Sequence, residues 1–150
     1  MKKIAIILVL ILLFVSTVPL MGCQNEETPR MAVFEDYAVV MGPIHKKVKR
    51  IVIPETYKGC PVTKIANDAF RDCYYLEEVI ISDSVKHILS NAFRSCHALE
   101  EIDLKNVERV DYRAFSICGK LKTIYYSEKL VGNIDPKAFL HCGEIEHVIR

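Results

Sequence analysis

The sequence predicts an α/β solenoid built from short repeats, with a column of parallel strands. The first observation is a motif that recurs four times: Ala-Phe, a Cys three residues after the Phe, and Leu or Ile three residues after the Cys. The phenylalanines of the four copies are Phe70, Phe93, Phe115 and Phe139. Their spacing of about 22–24 residues indicates a solenoid, because one such unit is too small to bury its own apolar face.

The second observation is an apolar-x-apolar pair after each motif, which has the alternation of a β-strand. The pairs are Val79/Ile81, Ile102/Leu104, Ile124/Tyr126 and, in the last repeat, Val148 with Arg150. Each repeat is therefore expected to contribute one short strand, and neighbouring strands are expected to pair in parallel at about 4.8 Å. The alternate positions face outward, in columns that place His147 beside Thr123 and Ile149 beside Tyr125.

The third observation is a further apolar pair with i, i+3 spacing, which predicts a turn or 3₁₀ segment facing the same interior. These pairs are Val62/Ile65, Val85/Ile88, Val107/Val110 and Val131/Ile134. The Ala-Phe step then starts a short helical or turn segment, in which Ala permits close approach and the stacked Phe rings fill the middle.

The motif cysteines are expected to stack, one in each coil: Cys73, Cys96, Cys118 and Cys142. Adjacent histidines, as in Cys96-His97, raise the alternatives of a zinc site or a redox array. Zinc ligands usually come from close pairs such as C-x₂-C, whereas these cysteines are separated by whole repeats. We therefore predict buried cysteines that act as small hydrophobic residues. Adjacent coils are close enough for a disulfide, but equivalent side chains point in parallel, so reduced thiols are expected.

These residues resemble the BspA-like leucine-rich repeat family, whose repeat reads approximately C-x-x-L-x-x-[IV]-x-[IL]-P-x-x-[IV]-x-x-I-G-x-x-A-F-x-x-C. The resemblance covers about residues 48–150, and the proline after the strand is present only as Pro54. It implies a right-handed leucine-rich-repeat solenoid of about four repeats with an N-terminal β cap. It also implies a bacterial cell-surface protein that acts in adhesion or protein interaction, with no cofactor and no metal.

Residues 1–22 have the pattern of a lipoprotein signal peptide. Lys2 and Lys3 precede an uncharged apolar run over residues 4–20, and the sequence Leu-Met-Gly-Cys at 20–23 resembles a bacterial lipobox that would be lipidated at Cys23. An uncleaved membrane-spanning anchor is the alternative. Either way the protein is expected to lie outside the cytoplasm, attached to a membrane. Residues 23–32 are polar and are predicted to form a tether.

Residues 33–150 are predicted to form the repeat domain, with the cap at 33–66 and the repeats at 67–150. In the cap, strands are expected at 34–41 and 48–54, followed by a loop at 55–61. At the other end, either residues 144–150 fold over the last coil or the terminal strand offers an unpaired edge to another chain. The second case would allow self-association.

Charge and motifs argue against nucleic-acid binding and catalysis. Without Lys2 and Lys3, 18 of the 20 Lys and Arg residues remain against 19 Asp and Glu. This balance provides no electrostatic reason to bind nucleic acid. No glycine-rich phosphate loop, G-x-S-x-G or H-E-x-x-H is present in the sequence. The pairs Glu77-Glu78 and Glu100-Glu101 could suggest a two-carboxylate glycosidase, but they recur at outward positions and are more typical of a solvated face.

The candidate binding face consists of outward side chains on three successive predicted strands: Glu78, Ile80, Glu101, Asp103, Thr123 and Tyr125. Ile80 and Tyr125 are large groups that core packing does not require, and tyrosine is favoured at interfaces. The alternative is that they are ordinary exposed apolar residues. We predict a non-catalytic, lipid-anchored binding module for an extracellular protein or glycan; the alternative is a structural envelope protein that assembles with its own kind.

Overall fold

The computed structural model describes residues 26–150, which form a β-solenoid of about five turns. In chain order the strands are β1 (Glu26–Glu27), β2 (Arg30–Phe34), β3 (Tyr37–Gly42), β4 (Arg50–Ile53), β5 (Thr56–Tyr57), β6 (Cys60–Ile65), β7 (Glu78–Ile81), β8 (His87–Ile88), β9 (Glu101–Leu104), β10 (Arg109–Val110), β11 (Thr123–Tyr126) and β12 (Glu146–Ile149). The one helical element in this part of the chain is a 3₁₀ helix, Glu128–Leu130. The predicted solenoid is confirmed, and its class is mostly β rather than α/β.

The predicted column of strands forms one side of the solenoid. Strands β1, β4 and β7 pair in parallel, and so do β9, β11 and β12. The side chains of Ile51, Ile102 and Ile124 are at most 1% exposed, whereas alternate side chains face outward, as the two-residue period of a strand requires. Within the described residues the column is interrupted between β7 and β9, which share no ladder of paired residues.

The second residue of each apolar pair lies on a second column of strands or pairs with it, as Ile134 does with Val110. Val85 and Val107 directly follow turns, and Val131 directly follows the 3₁₀ helix. Strands β3, β6, β8 and β10 pair in parallel, and β8 and β10 have only two residues each. Ile65, Ile88 and Val110 are buried at equivalent positions of this column. Extended backbone is favoured in these strands because each coil can then donate its N–H groups to the carbonyls of the neighbouring coil.

The Ala-Phe segments form the third side and are turns, not helices. The N–H groups of Phe70, Phe93 and Phe115 donate to the carbonyls of Ala92, Ala114 and Ala138 in the next coil, at 2.7–2.9 Å. Seven of the eight residues that lie two positions before or after the four phenylalanines adopt left-handed backbone conformations: Asp68, Asp72, Asn91, Ser95, Arg113, Ile117 and His141. This alternation turns successive N–H groups toward the neighbouring coil and prevents a continuous helix.

The core is filled by the predicted stacks. The rings of Phe70 and Phe93 are 5.0 Å apart, those of Phe93 and Phe115 5.1 Å, and the last pair, to Phe139, 5.3 Å, all within 10° of parallel. Cys73, Cys96 and Cys118 are completely buried, and all the described cysteines are free thiols. The repeat therefore positions one aromatic ring and one thiol per coil.

The N-terminal cap is a hairpin whose details differ from the prediction. Residues 34–41 are not one strand, because Glu35 and Asp36 form the two-residue turn between β2 and β3. The predicted loop at 55–61 contains a second tight hairpin, in which β5 pairs with the start of β6. Part of the predicted tether also belongs to the fold, since β1 pairs with β4 and the tether's last residues begin β2.

Two positions in the last repeat were predicted wrongly. Leu130 is completely buried whereas Val131 is 56% exposed, because the 3₁₀ helix rotates the inward position back by one residue. In β12, His147 pairs with Ile124, and Val148 pairs with Tyr125. This one-residue shift moves every side chain to the opposite face. It places the imidazole edge of His147 against the rings of Tyr126 and Phe139, where it covers part of the aromatic stack.

Candidate binding face

The six predicted face residues line one open groove of about 1020 Å³ across the outer side of β7, β9 and β11. They lie together because equivalent positions of the repeat recur in successive coils, and β9 and β11 pair in register, with Glu101 beside Thr123 and Asp103 beside Tyr125. Glu78, Glu101 and Asp103 are exposed, and Thr123 and Tyr125 are half-buried. Their location is as predicted, whereas their role in binding stays a prediction. Cys23, the predicted lipidation site, lies outside the described residues.

Two apolar groups stand at opposite ends of this groove. Ile80 is 39% exposed on β7, next to Val52 of the neighbouring strand. Tyr125 lies two strands further along, and the guanidinium carbon of Arg150 sits 3.6 Å from the centre of its ring. This contact places a positive charge against the tyrosine ring at that end of the groove.

The other end of the groove is acidic. Glu77, Glu78, Glu100 and Glu101 occupy the first positions of two successive coils. Glu77 pairs with Lys49 at 3.0 Å, Glu78 with Arg50 at 2.8 Å and Glu100 with Lys120 at 3.7 Å. Within the described part of the chain, no ion pair is made by Glu101, so its carboxylate is available to a partner.

The interruption of the sheet coincides with a change in the charge pattern. Lys49-Arg50 faces Glu77-Glu78 across β4 and β7, and Glu100-Glu101 faces Lys122-Thr123 across β9 and β11; both strand pairs are fully in register. Between β7 and β9, by contrast, two Glu-Glu pairs occupy equivalent positions, and like charges directly opposite each other destabilise strand pairing. The groove lies over β7 and β9, where this ladder is missing.

The cysteine stack does not have the environment of a catalytic thiol. Burial raises the pKa of the Cys73 thiol from 9.0 to about 11. The Cys142 thiol lowers the pKa of Cys118, but the Cys96 thiol and burial outweigh it and raise that pKa above its ordinary value. Contact with Cys118, together with burial, likewise raises the pKa of Cys142. A nucleophilic thiol needs the opposite shift. Among residues 26–150, no group of three or more His, Cys, Asp and Glu side chains could hold a metal ion.

The repeat sequence identifies the family. The model of the BspA-type leucine-rich repeat region matches residues 45–149 in six copies. The chain belongs to the BspA-type leucine-rich repeat family. The resemblance predicted from the Ala-Phe-x-x-Cys motif is therefore confirmed, and the family match begins before the first complete motif. No curated protein matches the sequence.

Solved structures of other leucine-rich repeat proteins share the fold. A leucine rich cell surface protein from Faecalibacterium prausnitzii A2-165 has a TM-score of 0.59 at 17% identity, over 75% of this chain and 35% of that one. The leucine-rich repeat protein of T. pallidum has a TM-score of 0.54 at 16% identity, over 79% and 60%. One from Bacteroides capillosus ATCC 29799 has a TM-score of 0.52 at 24% identity, over 70% and 78%.

The BspA-type chain thus spans about a third of the length of the first relative and three fifths of the second. Proteins of this family are typically associated with bacterial surfaces, and the repeat fold is generally a scaffold for binding proteins. In residues 26–150, no helix is long and apolar enough to cross a membrane.

Proposed function

We propose that this protein is a lipid-anchored, non-catalytic surface module that binds an extracellular protein through the groove over β7, β9 and β11. The observation that carries this proposal is the convergence of all six predicted face residues on one open groove. Repeat proteins expose such surfaces because each coil adds one strand's outward side chains to a continuous sheet.

The composition of the groove favours a protein partner. Its apolar groups, Ile80 and Tyr125, are separated by charged side chains, as in interfaces where a few anchors stand among polar contacts. The free carboxylate of Glu101 and the neighbouring Glu78 favour a basic group on the partner, whereas Arg150 and Lys122 favour an acidic group nearer Tyr125. A partner that matches both ends would be held in one orientation.

The membrane attachment rests on residues 1–23. Lys2 and Lys3, the apolar run at 4–20 and the lipobox-like residues that end at Cys23 support cleavage and lipidation. Two or more acyl chains provide stable attachment where a single chain does not. Mass spectrometry of the mature N-terminal peptide tests this: diacylated Cys23 is expected, and an intact leader would contradict it.

The binding experiment uses the purified protein on an array of extracellular-matrix proteins, host receptors and bacterial surface glycans. The groove variant combines Ile80→Ala with Tyr125→Ala. A matched control combines Tyr75→Ala with Val131→Ala, which removes an aromatic and a β-branched side chain that are 55% and 56% exposed outside the groove. Binding to a protein that the groove variant loses and the control retains supports the proposal. Binding that both retain, or that both lose, contradicts it, as does binding to glycans alone.

Self-assembly is the second candidate function, favoured by the outer edge of β12. In the described residues β12 pairs with β11 on one edge and with no strand on the other. An unpaired edge is a template for a strand of another chain. Analytical ultracentrifugation distinguishes the two functions: a concentration-dependent dimer that Ile149→Pro abolishes supports assembly, because the N–H groups of Glu146 and Arg150 face β11 and that of Ile149 faces outward. A monomer at all concentrations contradicts it.

A further inference from the structure

A second cavity, of about 150 Å³, lies on the Ala-Phe turns, on a different side of the solenoid from the strands that carry the groove. Its lining residues are Arg94, Arg113, Ser116, Ile117, Leu140 and His141. Two of these side chains are guanidinium groups and one is an imidazole, and none is a carboxylate. In a protein whose acidic and basic residues nearly balance, this is a local concentration of hydrogen-bond donors.

The repeat brings these donors together from different coils. Arg94 and Ser116 each directly follow the phenylalanine of their coil, so they occupy equivalent positions in successive turns. Arg113 and His141 come from positions two residues before and after a phenylalanine, and both have left-handed backbones, with φ of 54° and 60°. The Ala-Phe turns of three successive coils therefore form the cavity.

Two of the donors are buried without a partner. Ser116 is 1% exposed, and its hydroxyl oxygen makes no hydrogen bond to the described part of the protein. The Nε of Arg113 is also buried and unpartnered there, although its guanidinium group packs 4.9 Å from the centre of the Tyr112 ring. Leaving a buried polar group unsatisfied destabilises a protein, so such groups usually have a partner in the functional state. A bound acceptor would satisfy both.

We propose that this cavity binds a tetrahedral oxyanion, a sulfate or phosphate group, through Arg94, Arg113 and Ser116, with His141 at its rim. Guanidinium groups favour such anions because two parallel N–H donors match two oxygens, and the hydroxyl of Ser116 supplies a third donor. The cavity has room for one anionic group, which can be a free ion or a group carried on a polymer such as a sulfated polysaccharide.

The first experiment titrates the purified protein with sodium sulfate, sodium phosphate and sodium chloride at equal ionic strength, by calorimetry and thermal unfolding. Sulfate or phosphate is expected to bind with one site and to raise the melting temperature, whereas chloride does neither. Arg94→Gln is expected to weaken binding about tenfold or more, because a charge-assisted hydrogen bond is lost. The matched control is Arg71→Gln, at the same position one coil earlier, where the guanidinium already pairs with Asp68 at 3.2 Å.

The second variant, Ser116→Ala, separates binding from a structural role. Since its hydroxyl is unpartnered, the variant is expected to be as stable as the wild type without the anion, but to bind it several-fold more weakly. Absence of binding, or equal weakening in Arg94→Gln and Arg71→Gln, would overturn the proposal. Unchanged affinity in Ser116→Ala with reduced stability would do the same.

A third arm identifies the source of the anion. Dextran sulfate and neutral dextran are compared with inorganic sulfate on the wild type and on Arg94→Gln. Tighter binding of dextran sulfate than of sulfate, lost in the variant, supports a polymer-borne group; stronger binding of the inorganic ion supports a free ion. Binding of dextran sulfate that Arg94→Gln leaves unchanged contradicts the assignment to this cavity.

Discussion

The thiol of Cys118 donates a hydrogen bond to the backbone carbonyl of Phe93 in the preceding coil, with 3.1 Å between sulfur and oxygen. Cys96 makes the same contact with Phe70, at 3.3 Å, and Cys142 with Phe115, at 3.1 Å. Three of the four cysteines in the stack are therefore more than small apolar fillers, because their thiols link each coil to the one before. A zinc or redox array is not needed to explain their spacing.

We expect Cys118→Ala to lower the free energy of unfolding by about 1–2 kcal/mol, through the volume removed from a closed core and the lost contact to Phe93. Cys118→Ser keeps a donor in place and is expected to cost no more. Urea denaturation followed by circular dichroism measures both. Cys60→Ala, on the half-buried hairpin, is the control, and an equal cost there would contradict the role of the stack.

Thiol labelling tests whether any cysteine of the stack is reactive. At pH 8 an aromatic disulfide reagent is expected to modify Cys60 quickly and Cys73 only after unfolding, because burial raises the pKa of Cys73 to about 11. Peptide mapping identifies the modified residue. Rapid modification of Cys73, Cys96 or Cys118 in the folded protein would contradict a purely structural role for these cysteines.

At Gly42 the backbone conformation and the neighbouring atoms both require glycine. Its φ is +129°, and a Cβ atom would lie 2.2 Å from the carbonyl oxygen of Ala69. Gly42→Ala is expected to lower stability by about 1–3 kcal/mol or more, through strain and steric overlap. Gly119→Ala is the matched control, since nothing lies within 4 Å of its added Cβ, and it should be neutral or slightly stabilising. Thermal unfolding that ranks the two in the opposite order would contradict the cap geometry.

Asp111 forms ion pairs with two basic residues of the second strand column, His87 and Arg109. Partial burial raises the pKa of Asp111, but the His87 imidazole at 3.0 Å and the Arg109 guanidinium at 2.8 Å outweigh it and hold that pKa below the ordinary 3.8. The folded state therefore gains stability from the ionised carboxylate above pH 3.8 and loses it as the pH falls through the lowered pKa. Unfolding measured from pH 2.5 to 7 should decline less at the acid end for Asp111→Asn. Asp103→Asn, at an exposed site, should follow the wild type.

Reversing the charge of one glutamate should stabilise the contact between β7 and β9, where acidic residues occupy equivalent positions. Glu101→Lys places a cation opposite Glu78, and we expect the free energy of unfolding to rise by about 0.2–1 kcal/mol at low salt. The gain should fall in 0.5 M NaCl, because exposed charges are screened. Glu144→Lys, exposed at the other end of the chain, controls for net charge. A loss of stability in Glu101→Lys would mean that charge does not cause the break.

The sequence by itself determined the solenoid, the inward residues of the central coils and the family. These follow from local spacing that recurs: two-residue alternation selects a strand face, and equal positions in successive coils must stack. It also located the outward positions of β7, β9 and β11, because equivalent positions of the repeat recur in successive coils. That is why Ile80, Asp103 and Tyr125 were found on one face.

Only the tertiary structure decided what neighbouring coils do to one another. Three features depend on contacts between successive coils or on a local change of turn: the break between β7 and β9, the shifted register of His147 and the donors around Ser116. The sequence did not decide whether the Ala-Phe segments form helices or turns, because hydrogen bonds between coils determine the backbone conformation there. The period and composition of the sequence describe a single coil. Strand register, charge pairing and cavities depend on how neighbouring coils contact one another.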